Sequence, residues 1–171
     1  MPLPVAHSLL GATLGNGLLP LNNSNRRSIL IFCGLAAVVP DFDFLPIILF
    51  DLDRSFHRGF SHAPVTAIVF GGVLLLMLGK SRWREALIYT CAILSHGILD
   101  ALTAVEGQGV ALLWPLTDNR YKLSANSLFE INVYSPMRSV FATIGIELLI
   151  FGFIFWFIAR LRHTSSKRHP L

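Results

Sequence analysis

Charged residues are scarce in this sequence of 171 residues: they make up 14% of it, against 53% hydrophobic residues and a mean hydropathy of +0.60. That balance excludes an ordinary soluble domain, in which about a quarter of residues carry charge. Cysteine is nearly absent as well. Cys33 and Cys91 stand in separate apolar segments without CxxC spacing, which excludes a paired-cysteine clamp and makes both small core residues. The opening residues, MPLPVAHSLL, lack the basic n-region and small-residue cleavage site of a secretory signal, so they are expected to be retained. The sequence pI is about 9.5, yet the basic residues are scattered or terminal rather than striped along one helix, and no nucleic-acid partner is expected.

What is present is oil in long runs. Val140 to Ala159 is twenty residues with one charge, Glu147, and Ala63 to Gly79 is seventeen residues with none; both match a hydrocarbon core of about 30 Å. Ala86 to Thr103 is long enough but carries His96 and Asp100 near its end. Val5 to Leu19 and Ser28 to Val39 are short and rich in Gly and Ala. Such helices suit the inside of a bundle, and Gly11 with Gly15 forms a small-xxx-small spacing that lets a partner helix approach. The expected fold is all-α, a polytopic membrane helix bundle of about five embedded helices. Residues 1–160 form its single domain and 161–171 a basic cytoplasmic tail.

If all five segments cross, one side holds nine cationic residues, from Arg26 and Arg27 through Lys80, Arg82 and Arg84 to the tail, against one acid, Glu85. The other side holds Arg54, Arg58, Arg120, Lys122 and Arg138 with eight acids. The positive-inside rule makes the first side cytoplasmic and puts the N-terminus outside. The basic tail also reads as a lipid-surface patch, but a topology signal is the simpler explanation.

This topology sorts the polar residues. His7 starts the first segment, Asp41 and Asp43 follow the second, His57 and His62 precede the third, and His96 and Asp100 end the fourth. All seven come to one extracytoplasmic layer. His96 and Asp100, four apart, share a helix face, and imidazole with carboxylate is the ligand set of zinc, manganese or iron. The absence of cysteine argues for a catalytic rather than a closed structural site. Seven candidates exceed the needs of one tetrahedral ion and suggest two. Blander roles remain open for single members: His7 as an interfacial side chain, Asp41 or Asp43 as a helix N-cap, His96 and Asp100 as a hydrogen-bonded pair, and Ser61 as the cap of the third helix. Ionisable groups close to a membrane are costly, which favours function for the set as a whole.

AHSLLG at the start, PDFD, HRGFSH, SHGILD and the following ALTAVEGQGVALLWPL resemble, in order and approximate spacing, the YdjM-like family of inner-membrane metal-dependent hydrolases. The likeness covers residues 1 to about 118, and its specific part is HRG-x-S/T-H with a later H-x-x-L-D. It implies metal binding at His7, Asp41, Asp43, His57, His62, His96 and Asp100, and a place for Arg58 in the site. Ala6 stands where many members have Thr, which leaves the imidazole of His7 in place. The H-x-x-x-D element is also similar to one in zinc-dependent phospholipase C and related single-strand nucleases, which hydrolyse phosphoesters.

The expected activity is therefore cleavage of a phosphoester, of a lipid or lipid-linked substrate, by water activated on two divalent ions, zinc before manganese or iron. Arg58 is expected to clamp phosphoryl oxygens, unless it pairs with Asp51 or Asp53, and Asp43 to take the proton. The polar stretch from Ala104 to Ser139 is expected over the site. Within it Trp114 suits the headgroup level, and Arg120 with Tyr121 either meets a headgroup or makes an anchor and a loop ion pair. The rival classes are a transporter or channel for metal ions or protons, which predicts ligands near the bilayer midplane and repeated halves, and a scaffold with a structural metal, which predicts cysteine ligands. Membrane lipids are the expected surroundings.

Overall fold

The computed structural model describes residues 2–20, 22–53, 56–104, 109–123 and 137–168. They form six α-helices: α1 (Pro4–Leu18), α2 (Arg26–Ala36), α3 (Phe44–Phe50), α4 (Pro64–Leu78), α5 (Trp83–Thr103) and α6 (Met137–Arg168). Short 3-10 turns at Val39–Asp43 and Phe60–His62 join the elements around the polar residues. Among the described residues there is no strand, only an isolated antiparallel bridge between Val110 and Tyr121. The expected all-α bundle is what forms.

Among the described residues, two helices are long and apolar enough to cross a membrane, Lys80–Thr103 and Val140–Thr164, and a third span arises if α2 and the segment Val39–Phe50, bent by 41°, count as one. The expected five crossings therefore narrow to two or three by length. The run from Ala63 to Gly79 is corrected most directly. Ala63 is extended, Pro64 sits in the first helical turn, and Gly79 ends the helix at φ 77°, so α4 keeps 15 residues, a rise of about 22 Å. α1 is equally short at 15 residues. α5 gains instead, because a 3-10 turn at Lys80–Arg82 leads straight into it.

α5 is the inner element. The rest of the molecule covers 61% of its apolar window, against 11% for α6. Leu19, Ile29, Cys33, Ala37, Ile88, Tyr89 and Ala92 close the core between α1, α2 and α5. Gly11 and Gly15 do what their spacing predicts: a Cβ at either would collide with Cys33 on α2. Outside, Ile48, Leu49, Leu76, Met77 and Leu149 are largely exposed, an apolar surface far larger than water tolerates and suited to lipid.

α1 is held at both ends by other helices. Leu3 brings no capping side chain and Pro4 occupies the first turn, so the orphan amides there need a partner. Glu147 of α6 supplies it, accepting from the Leu3 N–H at 2.6 Å and the Ala6 N–H at 3.1 Å. At the other end Arg26 donates to the carbonyls of Leu19 and Pro20, and both Arg26 and Arg162 donate to that of Asn16. A carboxylate at the helix start and guanidinium groups at its end both complement the helix dipole. These contacts also fix α1 and α6 as parallel neighbours. α6 itself runs on through residue 161 to Arg168, so the basic tail begins as helix.

Candidate metal centre

Four elements deliver the polar side chains. The break at Pro40 between α2 and α3 carries Asp41 and Asp43, the 3-10 turn before α4 carries His62 with His57 just upstream, α1 brings His7 in its first turn, and α5 brings His96 and Asp100 in its last two. All seven candidates converge. They form three groups, each with ligand atoms within 4.8 Å of one another: His7, His96 and Asp100; Asp41, His62 and His96; Asp43, His57 and His62. His96 and His62 are shared, so the groups make one continuous cluster. Gly97 makes this possible, because a side chain there would run into the backbone carbonyl of His62.

Hydrogen bonding fixes what each ring presents. His96 Nδ1 lies 2.6 Å from the Ala37 carbonyl, an acceptor only, so this nitrogen carries a proton, and in the neutral ring Nε2 keeps its lone pair. Ser61 Oγ donates to Asp43 Oδ2 at 2.6 Å and therefore accepts from His62 Nδ1 at 2.9 Å. His62 Nε2 is left as a second lone pair. These two nitrogens face one another at 3.1 Å. Asp41 Oδ1 stands 3.2 Å from His96 Nε2 and 3.6 Å from His62 Nε2, and Asp100 Oδ2 stands 3.6 Å from the latter. When both rings are neutral, four acceptors point at one small volume, which is repulsive unless a metal ion or a proton fills it. The same logic applies to His57, whose Nδ1 bonds Asp43 Oδ1 at 2.7 Å while its Nε2 is buried without a hydrogen-bond partner. Burial lowers the pKa of the His62 imidazole from its ordinary value, against the pull of Asp41, which favours the neutral form a metal requires.

Asp100 and His7 complete the inner end. Asp100 is 1% exposed; its Oδ1 lies 3.3 Å from His7 Nε2 and its Oδ2 3.2 Å from Arg58 Nε, yet neither oxygen closes a well-formed hydrogen bond. The His7 and His96 rings stack with centroids 3.7 Å apart. Arg58 is buried at 3% exposure with a left-handed backbone, φ 61°, an unusual conformation for a residue with a side chain and one that collects at functional sites. Burial lowers its pKa, with Asp100 acting against this, and the group remains a cation. Its ion pair with Asp100 lies within the cluster.

Three of the blander roles are overturned. α4 has Ala63 at its N-cap with no side-chain bond, so Ser61 is not a cap and serves Asp43 and His62 instead. Asp43 stands at the N-cap of α3 without bonding its amides. His96 and Asp100 both reach across to other elements. Of the stretch from Ala104 to Ser139, residues 105–108 and 124–136 lie outside the described residues. Within the part from 109 to 123, three residues lie against the HRGFSH segment: Arg120 donates to the His57 carbonyl at 2.9 Å, the Ala111 N–H donates to that of Arg58 at 3.1 Å, and Trp114 packs on Phe60. Arg120 thus braces the motif. Sequence reasoning had not given Glu147, Ser61 or the Ala37 carbonyl a supporting part. Glu147 did carry a signal, as the lone charge in an apolar run.

Fold and site together define the class: a helical membrane protein with a buried cluster of His and Asp groups that could hold a metal ion. The YdjM inner membrane protein family model matches residues 1–163, and the chain belongs to that family. A relative, the inner membrane protein YbcI of Escherichia coli (strain K12), is 32% identical over 132 residues, or 71% of this chain and 72% of that protein. No solved structure matches this one.

Proposed function

We propose that this protein is a membrane-bound, metal-dependent hydrolase that cleaves a phosphoester at the extracytoplasmic layer of the membrane. The observation that carries this reading is the pair of imidazole Nε2 atoms facing each other at 3.1 Å between two carboxylates. The donor set contains only His and Asp, which suits zinc, manganese or iron in a reactive site. Three overlapping triplets support two ions, zinc first. Such ions supply Lewis acidity and make water nucleophilic at neutral pH.

The chain's own groups have separable parts. Arg58 is a buried cation beside the cluster, suited to bind phosphoryl oxygens and to stabilise charge as the ester breaks. Asp43 has Oδ1 engaged by His57 and Oδ2 by Ser61 and the Arg58 N–H. That geometry supports orientation of the rings better than proton uptake. Asp41 has the most exposed carboxylate of the set, 16% against 3% for Asp43 and 0% for Asp100, and is the one most open to solvent.

The test is metal content by mass spectrometry on detergent-purified protein, with phosphate release from phospholipids and lipid phosphates followed in parallel. Near two ions per chain are expected, lost with ester cleavage in His96→Ala and Asp100→Ala, while Arg58→Ala keeps its metal and loses turnover. A well-folded wild type that binds no metal after supplementation would reject the hydrolase reading and turn attention to ion flux in liposomes.

A further inference from the structure

The end of the bundle away from the metal centre holds a surplus of positive charge. α1 links the two ends: His7 in its first turn meets Asp100, and Asn16 stands nine positions further on, about 14 Å at helical rise. There the Asn16 carbonyl accepts from two guanidinium groups at once, Arg26 at the start of α2 and Arg162 near the end of α6. Arg26 also donates to the Asn16 side-chain oxygen and to the carbonyls of Leu19 and Pro20. The end of a helix carries about half a negative charge, against two full positive ones. Capping α1 thus accounts for Arg26 and leaves the charge of Arg162 over. Among the described residues neither arginine pairs with a carboxylate; the ion pair found at this end joins Arg82 to Glu85.

Depth and exposure say what compensates it. Arg162 lies two residues inside the candidate span Val140–Thr164, whose 25 residues rise about 37 Å, more than a hydrocarbon core of about 30 Å. The ends of that span therefore reach the headgroup layer. Arg162 is partly exposed, and among the described residues one of its five N–H groups is bonded, which leaves a planar fork for the oxygens of a phosphate. Beside it Phe157 and Leu161 are about half exposed and offer hydrocarbon to acyl chains. A phosphodiester with fatty chains meets both surfaces, as in other basic sites between membrane helices. We infer that the junction of α1, α2 and α6 binds the phosphate of an anionic phospholipid, with the lipid's chains along α6. The site is distinct from the metal centre and independent of the hydrolase reading.

Native mass spectrometry of the full chain in detergent, titrated with dioleoyl phosphatidylglycerol or dioleoyl phosphatidylcholine, tests it. Wild type should retain one phosphatidylglycerol with about tenfold higher affinity than phosphatidylcholine, and Arg162→Gln and Arg26→Gln should each remove most of that preference. Arg84→Gln is the control, because it removes an exposed cation from the start of α5, at the same end of the bundle, and should leave the preference intact. Thermal unfolding checks that each variant is folded. If Arg162→Gln does not fold, Arg162→Lys carries the test: it keeps the charge but loses the planar fork, and should still bind phosphatidylglycerol several-fold more weakly. Equal affinity of wild type for the two lipids would overturn the site, as would an equal loss in Arg84→Gln, which would make the effect one of overall charge. Uptake of inorganic phosphate by a wild type that does not distinguish the lipids would reject the lipid and leave a site for a free anion.

Discussion

His62 and His96 each donate a hydrogen bond from Nδ1 to a fixed acceptor, Ser61 Oγ or the Ala37 carbonyl, and this aims both Nε2 atoms at one volume, the feature that supports the paired ligands we propose. Asp43 organises the other half of the site. It bonds His57 at 2.7 Å and Ser61 at 2.6 Å, so its loss should loosen the rings without removing a metal position. Asp43→Asn is therefore expected to weaken metal affinity by about 10- to 100-fold, measured by chelator competition, with the number of ions at saturation unchanged. Loss of one whole ion would make Asp43 a ligand. The seven residues were legible in the sequence because their spacing delivers them to one layer whatever the helices' tilt. The division between ligand and orienting carboxylate was not. It depends on which oxygen faces which nitrogen, and that is decided by the bend at Pro40 and the left-handed turn at Arg58.

At the level of the elements, close approach of backbones sets the site. α5 touches the His62 turn through Gly97, and the opposing atom is a backbone carbonyl that cannot rotate away. Gly97→Val should cost about 1–3 kcal/mol through overpacking and should lower metal affinity by separating His96 from His62. Thermal unfolding in detergent with and without metal measures both effects, and a variant with wild-type stability and affinity would show that the contact is slack. The junction of α1 and α6 gives an independent case. Glu147→Ala removes the acceptor for two amides of α1 and should cost roughly 1–2 kcal/mol, whereas Glu147→Gln keeps an acceptor oxygen and should cost less. Equal losses would mean that charge, not capping, holds the two helices. The apolar runs revealed these helices, but not their lengths. Pro64 and Gly79 trim α4, and Lys80–Arg82 wind into α5, local backbone choices that a count of apolar residues does not contain.

Across the whole molecule, α1 and α6 lie parallel, with Glu147 at the start of α1 and Arg162 at its end. Parallel neighbours require the chain between them to traverse the bundle an odd number of times before α6 begins, as it does if the bent pair, α4 and α5 each count as a traverse. Length alone allows only two or three of the elements to span unaided. The short ones, α1 and α4, must then be sheltered by their neighbours or meet a thinned bilayer, and α1, packed on α2, α5 and α6, is placed for shelter. The excess of cations at the Arg26, Lys80–Arg84 and tail end sets the orientation we propose, with the metal cluster on the outer face. Replacing Cys33 and Cys91 by alanine and introducing Ser81→Cys or Asn119→Cys, both at exposed positions, tests it with an impermeant maleimide on intact cells. Asn119→Cys should react from outside and Ser81→Cys only after the membrane is opened. The opposite pattern would turn the cluster to the cytoplasm, and any lipid substrate would then have to come from the inner leaflet.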